Sequence, residues 1–347
     1  MAGRDQLKVE KAIDEALQGD LTATERALVL AWAQAWDVVS REVEAAVAAL
    51  AEQYPDGTIP AGVIRRDARL QAALSAVYGA LDDMAARAPG LASTGLTSAV
   101  AGATTGNVDM IRAGLTGAAR AELRATVAGA DAGQVAAIIE RSTQQITARN
   151  YQLADEAQAT IRVQMSRGIA VGANPRRAAS LAVRGIEDQW NGGLERARTI
   201  ARTEMIDAHR TAAQRVQAAN SDVLQGWEWV AHLGDKRTCR ACLGMHATTH
   251  DLDQPGPLGH PNCRCARVPV TKSWEALGFP GMREPASRTV DADAWFDALS
   301  EVDQRAILTD KGYGLWKAGK WPRSKWAHRS ENAGWRASYQ PSRPPST

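Results

Sequence analysis

The sequence predicts an α+β protein: an elongated, mainly helical N-terminal part, a small α+β module with zinc as its candidate stabiliser, and a Trp-rich basic tail. Three observations lead there. Apolar residues recur at 3- and 4-residue steps over much of the first 173 positions, as in helices that bury one stripe. Composition then changes: residues 1–189 hold five aromatics and four prolines, residues 190–347 thirteen and ten. All four cysteines of the 347-residue chain fall between Cys239 and Cys265. The expected divisions are a helical domain 1–173, a module 174–275 and an extension 276–347.

Thr22-x-x-Glu25 reads as a capping box that opens the first helix, which Pro55-Asp56-Gly57 ends just after Tyr54. Its stripe is Leu28, Trp32, Trp36, Val39, Val43, Val47 and Leu50, an eleven-residue period close to that of an unsupercoiled helix. A second helix is expected over Ala61–Ala88, with Ile64, Leu70, Leu74 and Leu81 among its apolar positions. Gly90–Asn107, rich in Gly, Ser, Thr and Ala, reads as a flexible break. Helix resumes at about Val108 and again at Ala132, with a stripe of Val135, Ile139, Ile146, Leu153, Ala157, Ile161 and Met165. At ~1.5 Å per residue, a helix of about 35 residues extends roughly 50 Å. Gly172-Ala173-Asn174-Pro175 stops it, since proline disfavours the α region in the residue before it. Such narrow stripes suit helix-on-helix packing, within one chain or between copies.

A further helix spans about Leu194–Asn220. Gly226–His232 alternates as a strand, with Trp227 and Trp229 on one face. Cys239–Met245 reads as a short helix, Thr248–Leu252 as a strand, Pro255-Gly256-Pro257 as a loop and Cys263–Val270 as a closing strand.

Cys239-x2-Cys242 is followed, after seventeen residues, by His260-Pro-Asn-Cys263-Arg-Cys265. Soft thiolates and an imidazole in two close pairs are the usual donors of a four-coordinate zinc cage. Each short turn supplies two ligands, so the ion replaces the core a small module lacks. Five groups compete for four places. Alternate residues of a strand point to opposite faces, so Cys263 and Cys265 share an ion only if the strand bends. That favours His260 beside Cys239, Cys242 and Cys263. Free or redox-labile thiols and disulfides are the alternatives.

Disulfides fit least, because MAGRDQLKVEKAIDEALQGD at the N-terminus has no apolar export segment and the thiols are expected in a reducing cytoplasm. No stretch approaches the ~18 apolar residues of a membrane span, so no membrane partner is expected. A formal net charge of +2 argues against a polyanion binder acting through the whole chain.

Ile200-Ala201-Arg202-Thr203-Glu204, Trp227-x-Trp229-Val230, Gly234-Asp235-x-Arg237-Thr238-Cys239-x-x-Cys242 and Gly259-His260-Pro261-Asn262-Cys263-Arg264-Cys265 follow in that order. Together they resemble the Mu F-like head-morphogenesis proteins of tailed bacteriophages, over roughly residues 150–275. Trp295-Phe296-Asp297, Gln304–Leu308 and Gly312-Tyr313…Gly319-Lys320 are similar to that family's C-terminal part, and the first 150 residues carry no assignable motif. The resemblance implies a low-copy, minor structural protein of the virion, inside the head at the portal vertex and assembled in the host cytoplasm. Portal protein is the implied partner, with major capsid or scaffold protein as others, in head assembly, DNA packaging or ejection. No catalytic activity is implied.

Under that reading Arg202 and Glu204 form a buried Arg–carboxylate pair that pins their helix to the strands; a solvated helix face is the alternative. Asp235 is expected to cap the turn before Cys239. His246, His250 and Asp251 raise the enzymatic rivals, a zinc-containing nuclease of the His-Asn-His type or an ADP-ribosyltransferase-like toxin effector. A zinc enzyme needs an open coordination position and a nearby base. Here no histidine pair has well-spaced carboxylate support, and no nicotinamide-site motif is evident.

The tail from Lys311 carries eight Lys or Arg against Glu331 alone, among Trp316, Trp321, Trp326 and Trp335. It either touches packaged DNA non-specifically, through phosphates and stacked bases, or docks by its tryptophans on the chain's own strand module or a portal surface. The last residues, Pro341–Thr347, are expected to be disordered.

Overall fold

A computed structural model of the chain describes residues 4–54, 66–115, 126–170, 175–233, 237–283, 289–332 and 335–345, with the single residues 63, 123 and 235. Helix α1 spans Arg4–Gln53, so the Thr22-x-x-Glu25 box lies inside it and caps nothing. The Leu, Ala, Lys and Glu residues that precede the box are strong helix formers. Leu17, Leu21 and Leu28 carry one buried stripe through it. Glu25 instead accepts hydrogen bonds from Arg198 and Arg202, each at 3.1 Å.

Helix α2 (Ala68–Gly114) runs through the segment expected to be a break. Its small residues are core: Ala92, Leu96, Ala99, Val100 and Ala103 are all buried. Tertiary burial therefore overrides weak propensity. Pro89 lies inside this helix, where it forfeits one backbone hydrogen bond. Thr104 and Asn107 donate back to the carbonyls of Val100 and Ala103, which occupies polar groups that would otherwise favour a turn.

Helix α3 (Ala132–Ala170) starts where the sequence places it. Helix α4 (Pro175–Ala218) begins far ahead of Leu194, with proline at its first position, where a missing amide is harmless. Residues 55–62, 64–65 and 171–174 lie outside the described residues, as do the side chains of Val47, Leu50, Leu153, Ala157, Ile161, Met165 and Trp335.

The chain divides into two units, one of residues 1–19, 98–139 and 205–347 and the other of residues 20–97 and 140–204. In the second unit, Leu70, Val77, Leu81 and Met84 of α2 pack with Trp32, Val39 and Val43 of α1 and Trp190 of α4. Trp32 and Trp190 donate their indole N–H groups to each other's backbone carbonyls at 2.8 and 3.3 Å. The stripe from Leu28 to Val43 is thus buried within the chain itself.

In the first unit, an antiparallel sheet has the order β2 (Thr249–His250), β1 (Leu224–Val230), β3 (Ala266–Thr271). Alternation puts Trp227 and Trp229 on one face, ring centroids 6.2 Å apart, over the sulfur cluster of Cys242, Cys263 and Cys265. Val230 and Val268 pack against Met110 of α2 and Leu7 and Ile13 of α1. A short helix, α5 (Arg240–Met245), follows β1. Helices α6 (Ala292–Asp297) and α7 (Glu301–Lys317) precede a hairpin of β4 (Ala327–Asn332) and β5 (Trp335–Pro341).

The tail docks on its own module. Trp321 and Trp326 are buried with Leu243, Phe296, Leu308 and Tyr313. The end expected to be disordered is fixed as far as Ser342, whose N–H donates to Trp326 O and whose carbonyl accepts from Arg240 Nε, both at 2.9 Å. No helix among the described residues is long and apolar enough to cross a membrane.

Candidate metal centre

Two turns bring the thiols together. In the first, Cys239 is the N-cap of α5 and its sulfur accepts from the Cys242 amide at 3.5 Å. A cap and the third residue of the turn it caps lie side by side, which is what the x2 spacing encodes. In the second, Cys263 N–H donates to His260 O at 3.1 Å, with Asn262 in the left-handed region at φ 62°. Gly259 is required there. A Cβ at that position would lie 2.3 Å from Cys263 Sγ, inside any van der Waals contact.

The strand expected from Cys263 begins only at Ala266. Arg210 of α4 is the physical reason. Its Nη2 donates to Cys263 O at 2.9 Å and to Cys265 O at 2.8 Å, so these carbonyls serve a guanidinium and not a sheet ladder. Freed from strand alternation, Cys263 and Cys265 both face Cys242.

The five donors form two triads that share Cys242: Cys239, Cys242 and His260, and Cys242, Cys263 and Cys265, each with its donor atoms within 4.8 Å of one another. Cys239 and Cys242 sulfurs are 3.6 Å apart, Cys242 and Cys263 sulfurs 3.7 Å. His260 Nε2 lies 3.1 Å from Cys239 Sγ and 3.6 Å from Cys242 Sγ. With Zn–S near ~2.3 Å and Zn–N near ~2.0 Å, a tetrahedral ion spaces sulfurs about 3.8 Å apart and sulfur from nitrogen about 3.6 Å. The cluster can hold a metal ion such as zinc.

The protonation chemistry fits. His260 Nδ1 is 2.7 Å from Pro261 O, a group that only accepts, so Nδ1 carries a proton and Nε2 is the nitrogen that could coordinate an ion once it gives up its own proton. Hydrogen bonding from Cys242 and then His260 draws the Cys239 thiol down to about 4, against burial. Burial also works against the His260 charge, but the Cys239 hydrogen bond and the Cys239 and Cys263 charges hold it up at about 9. Hydrogen bonds from Cys242 and Cys265 lower the Cys263 thiol, with Arg210 assisting, while burial raises that of Cys265.

Asp235 braces the entrance. Its Oδ1 caps the turn through Arg237 N–H at 2.9 Å, as expected from its position. Both oxygens also accept from Arg264 at 2.7 Å, and the Arg264 hydrogen bonds hold the carboxyl well below the usual carboxylate range. On the other side, a cavity of about 30 Å³, room for a single water, is lined by Glu10, Asp14, Asn107, His209, Arg210 and Arg264. Burial, and then the Asp14 charge, raise the Glu10 carboxyl to about 7. Burial also raises Asp14, but the hydrogen bond and charge of His232, at 3.0 Å, prevail and leave it lowered.

Other expected site residues fall elsewhere. Arg202 and Glu204 are each engaged by another helix. Arg202 reaches Glu25 of α1 at 3.1 Å and buried Glu204 lies 3.7 Å from Arg149 of α3. His246 Nδ1 accepts from Ala231 N–H at 2.9 Å, and Nε2 lies 2.7 Å from Val290 O. Both its nitrogens are thus engaged with backbone. His250 stacks on Trp227, with centroids 4.3 Å apart, and Asp251 is exposed.

Arg210 is a neighbour of the cluster that no sequence motif points to, and Gly259 and Arg264 lie within the motif without a role that spacing reveals. Arg210 had one signal: a cation between Ile206 and Ala213 on the buried face of a helix.

Residues 139–268 match the family model described as Phage Mu protein F like protein. The matched segment runs from α3 through β3 and includes all five candidate donors. That segment is a phage Mu F-like region. No curated protein and no solved structure matches the chain.

Proposed function

We propose that the chain is a minor structural protein of a tailed-phage head, associated with the portal vertex and taking part in head assembly, DNA packaging or ejection. The Mu F-like match over 139–268 carries this reading. The donor set supports a structural role: four thiols and an imidazole are enough to fill every position around a tetrahedral ion, as structural sites do. Zinc is the ion we assign to it, as the clasp joining the α5 turn to the loop before β3.

Portal protein is the proposed partner, with major capsid or scaffold protein next, and any DNA contact would fall to the exposed cations of the tail. Leu30 and Val38 of α1 are apolar yet 63 % and 53 % exposed, and are the residues we nominate for a protein contact. Mass spectrometry of purified virions tests the reading: the chain should be found in mature particles at low copy. Its absence from virions, together with failure to co-elute with the cognate portal on co-expression, would reject it.

A further inference from the structure

We infer that the ion is held by Cys239, Cys242, Cys263 and His260, that Cys265 stays outside the coordination sphere, and that Arg210 is the positioning residue whose charge completes the centre. The inference rests on the zinc reading above and decides between the two donor sets that reading leaves open.

Arg210 is 6 % exposed. It donates to the Cys263 and Cys265 carbonyls and, at 3.4 Å, to Cys263 Sγ. Among the described residues no carboxylate lies within ion-pair distance of it. A buried guanidinium is costly unless opposite charge faces it; the groups that can supply it are the Cys263 and Cys265 sulfurs first and Asp207 of its own helix after them.

Charge then separates the two sets. Three thiolates and a neutral imidazole around a divalent ion sum to −1, which Arg210 cancels. Four thiolates sum to −2 and leave a buried excess of −1 beside Arg210. Arg264, the other cation near Cys265, is already engaged by both oxygens of Asp235 at 2.7 Å. Arg240 donates to the Ser342 and Ile307 carbonyls and stands on the Cys239 side.

His260 and Cys265 each lie close to two sulfurs, His260 to those of Cys239 and Cys242 and Cys265 to those of Cys242 and Cys263, so distance does not separate them. Orientation does: the His260 ring is held by Pro261 O at 2.7 Å, the second contact that metal-binding histidines regularly make. The Cys265 carbonyl is committed to Arg210, which places its backbone without asking its sulfur to bind.

Full-length protein loaded with Co²⁺ under reducing conditions provides the test, because cobalt absorption separates three-sulfur, one-nitrogen coordination from four-sulfur coordination. Cys265→Ser should bind one ion per chain with the wild-type spectrum. His260→Ala should lose the wild-type spectrum and bind more weakly than any of the other variants. Arg210→Gln should weaken binding about ten- to a hundredfold, measured by chelator competition, and Arg210→Lys should recover most of it, as a packing role would not. A four-sulfur wild-type spectrum, or loss of the ion in Cys265→Ser with retention in His260→Ala, overturns the assignment and leaves the zinc reading intact. Failure of wild-type protein to take up Co²⁺ or Zn²⁺ removes both. Should Arg210→Gln fail to fold, the Cys265→Ser and Arg210→Lys spectra still decide.

Discussion

Trp326→Ala is the change that tells a docked tail from a DNA-binding one. Trp326 is fully buried, with its ring centroid 5.0 Å from that of Phe296 and 6.1 Å from that of Trp321. Its indole N–H donates to Trp321 O at 3.1 Å. Truncating a buried Trp costs about 3–5 kcal/mol, part of it transfer and part the cavity left behind. The upper half of that range is expected here, because the Trp321 carbonyl also loses its partner inside the core. Trp326→Phe should lose less, since it keeps most of the apolar volume. Replacing exposed Lys320 and Lys325 by Ala should leave stability within about 0.5 kcal/mol. Urea unfolding followed by tryptophan fluorescence measures the first effect. Filter binding of DNA at two salt concentrations measures whether the tail holds nucleic acid. A Trp326→Ala cost under about 1 kcal/mol, with DNA retention falling at low salt, would mean that the indole serves a ligand and that the buried placement is wrong.

Four further outcomes follow from the same geometry. Gly259→Ala should destabilise the module and lower metal content, since its Cβ would meet Cys263 Sγ at 2.3 Å; elemental analysis of the purified variant reads this directly. Stripping the ion with a strong chelator under reducing conditions should lower the melting temperature, because the bound ion contributes folding free energy; an unchanged melting curve would argue against a structural ion. Asp235 is held ionised chiefly by Arg264, so its contribution is present above the ordinary carboxylate range near pH ~4 and fades as pH falls below it. Asp235→Asn should therefore be less stable than wild type at pH 7, and the gap should narrow in acid. Glu10 has the opposite sign: its carboxyl, raised to about 7, favours the fold when protonated and penalises it as pH rises through that value. Glu10→Gln should stabilise the protein at pH 8 by on the order of 2 kcal/mol and do nothing near pH 4, as paired denaturation curves would show.

What was legible in the sequence was local. The x2 spacing of Cys239 and Cys242 is the geometry of an N-cap and its turn, and alternation of Trp227 and Trp229 placed both on one buried face. Gly90–Asn107 was misread because small residues mean a loop when nothing packs on them and a close-packed helix when something does. Only the neighbours of Ala92, Val100 and Ala103 decide which, and these come from distant parts of the chain. Thr22-x-x-Glu25 failed for a related reason: Glu25 had a better use, two arginines more than 170 positions away.

The donor cluster shows the same limit more sharply. Five groups within 27 positions announce a metal site, yet the choice among them depends on charges no spacing reveals. Arg210 lies 53 residues before Cys263, and the carboxylates beyond the adjoining cavity, Glu10 and Asp14, come from the first helix. Strand alternation did point to His260, but on a premise the fold does not meet, since Cys263 and Cys265 precede the strand. The firmer ground is electrostatic: a centre of three thiolates and one imidazole carries one negative charge fewer than a centre of four thiolates, and the one buried guanidinium at the cluster, which Asp207 of its own helix also faces, matches the smaller charge better.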